Sequence, residues 1–125
     1  RRDIALRYRD AFSELSGVVA PTEYSYVESA WHLYTLKLEL DRLKVDRKII
    51  FDSLRSENIG VNVHYIPVHL HPYYRNRFGY TQGLCPTAES AYEGALTLPL
   101  FHSMSDSDVE DVIKAVYKVV NYYCV

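Results

Sequence analysis

The chain has 125 residues, 48% of them apolar and 24% charged, which suits one globular domain with a buried core and argues against disorder. Its formal net charge of −2 gives no electrostatic pull toward nucleic acid or an anionic membrane surface. No apolar run approaches the roughly 20 residues needed to span a bilayer.

In chain order, the first predicted element is an amphipathic helix. Ile4, Ala5, Tyr8, Ala11, Phe12 and Leu15 recur at helical spacing, charged residues fill the opposite face, and Gly17 supplies a left-handed stop. No capping residue precedes Arg1, and neither an initiator Met nor a signal-peptide pattern is seen, so the chain reads as a piece of a longer protein. Residues 18–30 suggest a short strand or loop. Trp31 to Leu40 alternates strongly, placing His32, Tyr34, Leu36, Leu38 and Leu40 on one face of a strand. His32 is accordingly expected in the core.

A second helix is predicted over 45–57, with Arg47, Ile50, Phe51 and Leu54 inward and Asn58 or Gly60 as a left-handed cap. A second strand is expected over 61–66, ended by Pro67. Residues 67–83 read as a loop holding a short helix near Pro72–Arg75. Pro86 opens a helix over 86–94, and Ala95–Leu100 forms a short strand. Ser105 and Asp108 form a capping box for the last helix, whose stripe is Val109, Val112, Ile113, Val116, Val120 and Tyr123, with Glu110 and Lys114 paired outside. This order lacks regular βαβ alternation. The predicted class is α/β in the α+β sense: a two-layer domain with a small, mostly antiparallel sheet covered by helices mainly on one face.

The densest chemistry lies in His64-Tyr65-Ile66-Pro67-Val68-His69-Leu70-His71-Pro72-Tyr73-Tyr74, where a strand becomes a loop. Ligand contact and simple packing are both open readings of this cluster. A metal site of His64, His69 and His71 matches no standard zinc spacing and lacks a fourth ligand. No serine has a nucleophile elbow, and no glycine-rich phosphate loop is present. Arg75 and Arg77 fit a solvated face better than a phosphate site. Cys85 and Cys124 read as two free thiols of a protein of the reducing cytoplasm. Lys37, Lys44, Lys48, Lys114 and Lys118 all fall at exposed-looking positions, so none is a candidate for imine chemistry. Twelve tyrosines favour half-buried surfaces and interfaces.

Five blocks in series carry a resemblance. They are Arg1–Ala5 with Tyr8; Ala30-Trp31-His32-Leu33-Tyr34; Ile59 to His69; Cys85–Glu89 with Leu98–Phe101; and Met104–Val109. Together they resemble the C-terminal region of DegT/StrS-type sugar aminotransferases across nearly the whole chain. The resemblance implies the small domain of an aspartate-aminotransferase-like fold, in a homodimeric enzyme. That enzyme uses pyridoxal phosphate to move an amino group, typically from glutamate, to a keto group of a nucleotide-linked sugar. It also implies that the cofactor lysine and the cofactor's other partners lie in a large domain preceding Arg1, so no cofactor is expected on this chain alone. Carried over residue by residue, it makes His64, Tyr65, His69, Tyr73 and Tyr74 the candidate substrate contacts. Asn58 departs from a glycine frequent in the family, which alters a helix cap only. Separation from a natural neighbour is expected to leave an exposed apolar patch and to favour self-association. The alternative is an autonomous module binding carbohydrate or protein through the Tyr/His loop.

Overall fold

A computed structural model describes all 125 residues. In chain order the elements are α1 (Arg2–Phe12), β1 (Val18–Val19), β2 (Tyr34–Leu38), α2 (Arg47–Ser56), α3 (Pro72–Phe78), α4 (Pro86–Gly94), β3 (Ala95–Leu98) and α5 (Asp106–Tyr123). Single turns of 3₁₀-helix occupy Leu40–Arg42 and Val68–Leu70. The strands form one antiparallel sheet in the order β1-β2-β3, with Val18 opposite Leu38, and Tyr34 opposite Leu98. The fold is therefore the mixed α/β domain with a small antiparallel sheet that the element order predicts.

Alternation along β2 buries Tyr34, Leu36 and Leu38 on one face and leaves Thr35 and Lys37 on the other. The first face meets the stripes of α1, α2 and α5, and Ile4, Tyr8, Phe12, Ile50, Leu54, Val109, Val116 and Val120 join it in one core cluster. Tyr8 packs edge-on against Tyr34 at 5.2 Å between ring centroids and donates its hydroxyl proton to the Pro99 carbonyl at 2.9 Å. Burial pushes the Tyr8 phenol well above its ordinary range. The second face of the sheet is partly covered by α4 and the segment around His64. Arg47 joins α2 to α4: its guanidinium lies 4.5 Å over the Tyr92 ring and donates to the Tyr92 carbonyl. The side chain expected to lie along the α2 stripe therefore satisfies a carbonyl at the end of another helix.

Local chemistry explains the element ends. Asp46 caps α2 by accepting from the Ile49 amide at 3.0 Å, and Asn58 rather than Gly60 adopts the left-handed conformation beyond it, at φ 64°. Ser105 and Asp108 form the expected capping box on α5, and the hydrogen bond from the Ser105 amide holds the Asp108 carboxyl below its usual range. The Glu110–Lys114 pair forms at 3.4 Å. The α5 stripe also takes in Ala115 and Val119, while Ile113 and Tyr123 are half-buried. Both cysteines are free thiols.

Three expectations are corrected. The first helix ends at Phe12, before Gly17, and a turn carries Leu15 back into the core. The strand expected over Trp31–Leu40 is β2 alone. Trp31 takes a left-handed φ of 44°, the chain bends at His32, and that step breaks the alternation, so His32 is exposed and Trp31 buried. The strand expected over 61–66 reduces to one bridge, in which Asn62 and Thr97 exchange backbone hydrogen bonds at 3.0 and 2.8 Å. The Asn62 side chain accepts from the Val63 amide at 2.8 Å, which withdraws that amide from any further ladder.

Candidate functional site

The Asn62–Thr97 bridge sends the chain across the second face of the sheet, through a cis His64–Tyr65 peptide bond, and out into the excursion that carries α3. Beneath it lies a cavity of about 510 Å³ between the sheet, α4 and the 64–67 segment. Ala88, Ala91, Ala95 and Pro67 form an apolar wall, while Thr35, Lys37, His64, Tyr65 and Tyr92 bring polar groups to it. The wall is made of small side chains because α4 runs directly into β3 and lies close to β2 at its C-terminal end. There a Cβ on Gly94 would come within 2.6 Å of the Leu38 carbonyl oxygen.

His64 is half-buried, and its Nδ1 lies 3.0 Å from Thr97 Oγ1, which is itself 3.0 Å from Thr35 Oγ1. Tyr65 stands edge-on to the His64 ring at 4.7 Å and is 74% exposed. The cavity thus combines a shallow apolar floor with hydroxyl, imidazole and ammonium groups at its rim, a surface suited to a polyhydroxylated molecule.

The predicted site residues divide into three groups. His64 and Tyr65 come together on this cavity. His69 is buried, and its Nε2 donates to Glu89 Oε1 at 2.7 Å. Tyr73 and Tyr74 lie on α3, where Tyr74, Phe78 and Tyr80 continue a ladder of rings with centroid spacings of 6.1 and 5.4 Å. The structure does not gather His64, His69 and His71 into a group of potential metal ligands. Arg75 and Arg77 are both exposed, as expected of a solvated face.

The residue that sequence reasoning missed is Glu89. Its carboxylate accepts from the Gly83 amide at 2.9 and 2.8 Å, from the Cys85 amide at 3.2 Å and from His69, so it clasps both ends of the 67–85 excursion. The Gly83 hydrogen bond, aided by His69 and Cys85 and opposed by desolvation, holds the Glu89 carboxyl below its ordinary range. Gly83 sits at φ 92°, which suits glycine. A signal was present in the sequence: an acid in the first turn of a proline-started helix, where it complements the dipole and free amides, just after a glycine.

Holding an aldehyde as an imine needs an amine kept neutral by burial or by neighbouring cations. Lys48, Lys114 and Lys118 are exposed and paired with Asp52, Glu110 and Glu57, and Lys37 and Lys44 are exposed. The hydrogen bond to Asp52 raises the Lys48 pKa, the opposite of what imine formation needs.

Comparison with known proteins agrees with the fold and with the resemblance. Residues 1–117 match the DegT/DnrJ/EryC1/StrS aminotransferase family. The spore coat polysaccharide biosynthesis protein SpsC of Bacillus subtilis is 45% identical over 121 residues, 96% of this chain and 31% of SpsC. An uncharacterized protein of Methanocaldococcus jannaschii is 46% identical over 97% of this chain and 31% of its own length. Among solved structures, Spr1654 of Streptococcus pneumoniae, described as a sugar aminotransferase and solved in its PLP form, superposes with a TM-score of 0.87 at 31% identity, over 97% of this chain and 30% of Spr1654. The chain thus spans about 31% of the length of the curated relatives it matches, and it belongs to the DegT/DnrJ/EryC1/StrS aminotransferase family.

Proposed function

We propose that this chain is the C-terminal small domain of a pyridoxal-phosphate-dependent aminotransferase that aminates a nucleotide-linked keto sugar. In that reading the parent is a cytoplasmic homodimer with glutamate as amino donor, and its product feeds cell-surface or spore-coat polysaccharide synthesis. This chain supplies part of the substrate cleft, and the cofactor is held elsewhere. The observation that carries the reading is the cavity lined by His64 and Tyr65, whose polar rim over an apolar floor suits a sugar. Family membership and the sugar-related relatives support it. The exposed lysines support the view that this chain is inactive alone.

Binding at such a surface turns contact with the non-reacting part of the substrate into orientation of the keto carbon. His69 serves this as a brace on Glu89 behind the binding surface. Tyr65 meets the sugar, and Tyr73 and Tyr74 extend the surface along α3. In the full-length enzyme, Tyr65→Ala and His64→Gln are expected to raise KM for the nucleotide sugar about tenfold, the equivalent of roughly one lost hydrogen bond to substrate. The glutamate half-reaction, followed by the cofactor's absorbance, is expected to stay unchanged. Equal damage to both half-reactions, or none to either, contradicts the assignment.

The aromatic surface of the excursion supports a neighbour that is not part of this chain. Val68, Phe78 and Leu84 are each more than half exposed, and the remaining two-thirds of a family-length protein supplies the cover we assign to them.

A further inference from the structure

The contacts behind His64 determine what its ring offers to a ligand. A neutral imidazole has one donor and one acceptor nitrogen, and the partner of one nitrogen settles the role of the other. Here Nδ1 is engaged by Thr97 Oγ1 at 3.0 Å, and Thr97 Oγ1 also meets Thr35 Oγ1 at 3.0 Å. Thr97 is buried, so its single proton must go to one of these two neighbours.

Two arrangements are possible. In one, His64 Nδ1–H donates to Thr97, Thr97 donates to Thr35, and the Thr35 proton is left without an acceptor in the protein. In the other, Thr35 donates to Thr97, Thr97 donates to His64 Nδ1, and both hydroxyl protons are used inside the protein. The second arrangement is also the one compatible with the Nε2–H tautomer that free histidine side chains favour. It leaves Nε2–H as the free donor of a residue that lines the cavity.

We propose that Thr97, itself oriented by Thr35, is a positioning residue that holds His64 as its Nε2–H tautomer, so that the cavity selects a ligand presenting an acceptor oxygen. A hydroxyl, carbonyl or phosphoryl oxygen meets that requirement, and an ammonium group does not. The choice of ligand oxygen rests on the reading of this cavity as substrate-facing, whereas the tautomer does not.

The test is a long-range proton–nitrogen correlation spectrum of the nitrogen-15-labelled chain at a pH where the ring is neutral, with the His64 signals identified by their loss in His64→Gln. The expected pattern is a pyrrole-type Nε2 and a pyridine-type Nδ1. Thr97→Ser is expected to keep this pattern. Thr97→Val is expected to move both nitrogens toward the averaged positions of a ring exchanging between tautomers. A pyrrole-type Nδ1 in the wild-type chain overturns the proposal, as does a His64 spectrum that Thr97→Val leaves unchanged. The wild-type and Thr97→Ser spectra decide the matter if Thr97→Val does not fold. Because no substrate is involved, failure here leaves the cavity's assignment to the sugar standing, and failure of the KM test leaves the tautomer standing.

Discussion

At Glu89 one carboxylate joins His69, Gly83 and Cys85, the two ends of a long excursion. Its folded-state pKa is lowered, so it favours the native state above the ordinary carboxylate range. That contribution is lost as pH falls through the lowered value. The protection factors of the Gly83 and Cys85 amides, taken relative to the slower intrinsic exchange in acid, should therefore fall on acidification, and Glu89→Gln should lower them already at neutral pH. Unchanged protection of those two amides in the variant would sink the clasp. A second pair of residues separates a used hydroxyl from an idle one. Tyr8 donates to Pro99, whereas the Tyr34 hydroxyl and the Trp31 indole N–H are buried without a protein partner. Tyr8→Phe should cost about 1 kcal/mol, because a half-buried carbonyl loses its donor, while Tyr34→Phe should be close to neutral or stabilising. Urea unfolding of the two variants makes the comparison. Much of this was hidden in the sequence. Helical and strand periods identify which residues are buried, and Tyr8 was legible in that way. The period does not say where a buried hydroxyl finds its acceptor, and it cannot anticipate the left-handed turn at Trp31 that exposes His32.

Elements whose ends are set by neighbours in sequence were read correctly. Pro86 opens α4 and Ser105 caps α5 because proline geometry and a hydroxyl three residues from an amide act locally. One element that depends on partners in space was not. The 61–66 segment has strand-like alternation, yet it meets β3 at Asn62 alone, and the side chain of Asn62 competes for the next amide. The junction of α4 with β3 is likewise a tertiary matter. Gly94 has no room for a side chain, since a Cβ would press on the Leu38 carbonyl at 2.6 Å and on Lys37 Cγ at 3.2 Å. Both neighbours belong to β2, whose backbone is fixed by pairing on both sides. Gly94→Ala should cost roughly 1–3 kcal/mol, the range of an overpacked core position, and should disturb the His64 cavity next to it. A thermal or urea transition within about 0.5 kcal/mol of wild type, the spread of an ordinary surface substitution, would show that β2 and α4 can separate freely.

For the molecule as a whole, the 65–84 excursion exposes a run of large apolar side chains. Tyr73, Phe78 and Leu84 are 64%, 54% and 52% exposed, so the isolated chain should associate reversibly at high concentration, as the expected apolar patch implies. Sedimentation velocity over a concentration series should show this, and Tyr73→Ser with Phe78→Ser should return the chain to a monomer. A wild-type chain that stays monomeric throughout would contradict it. The architecture class was legible because helix and strand signals occur in a non-alternating order. The division of labour within the Tyr/His run was not, because His64, His69 and Tyr73 look alike in sequence and are separated only by what each touches.

The short edges of the sheet bear on how such association ends. Asn62 occupies the outer side of β3 at Thr97, and β1 offers two residues, Val18 and Val19, on the opposite border. Backbone templating by an incoming strand therefore finds almost no free row of amides and carbonyls, which is the ordinary route to fibrils. Crowding of this chain should yield soluble, dilutable clusters joined ring to ring, with no growth in dye-binding cross-β material.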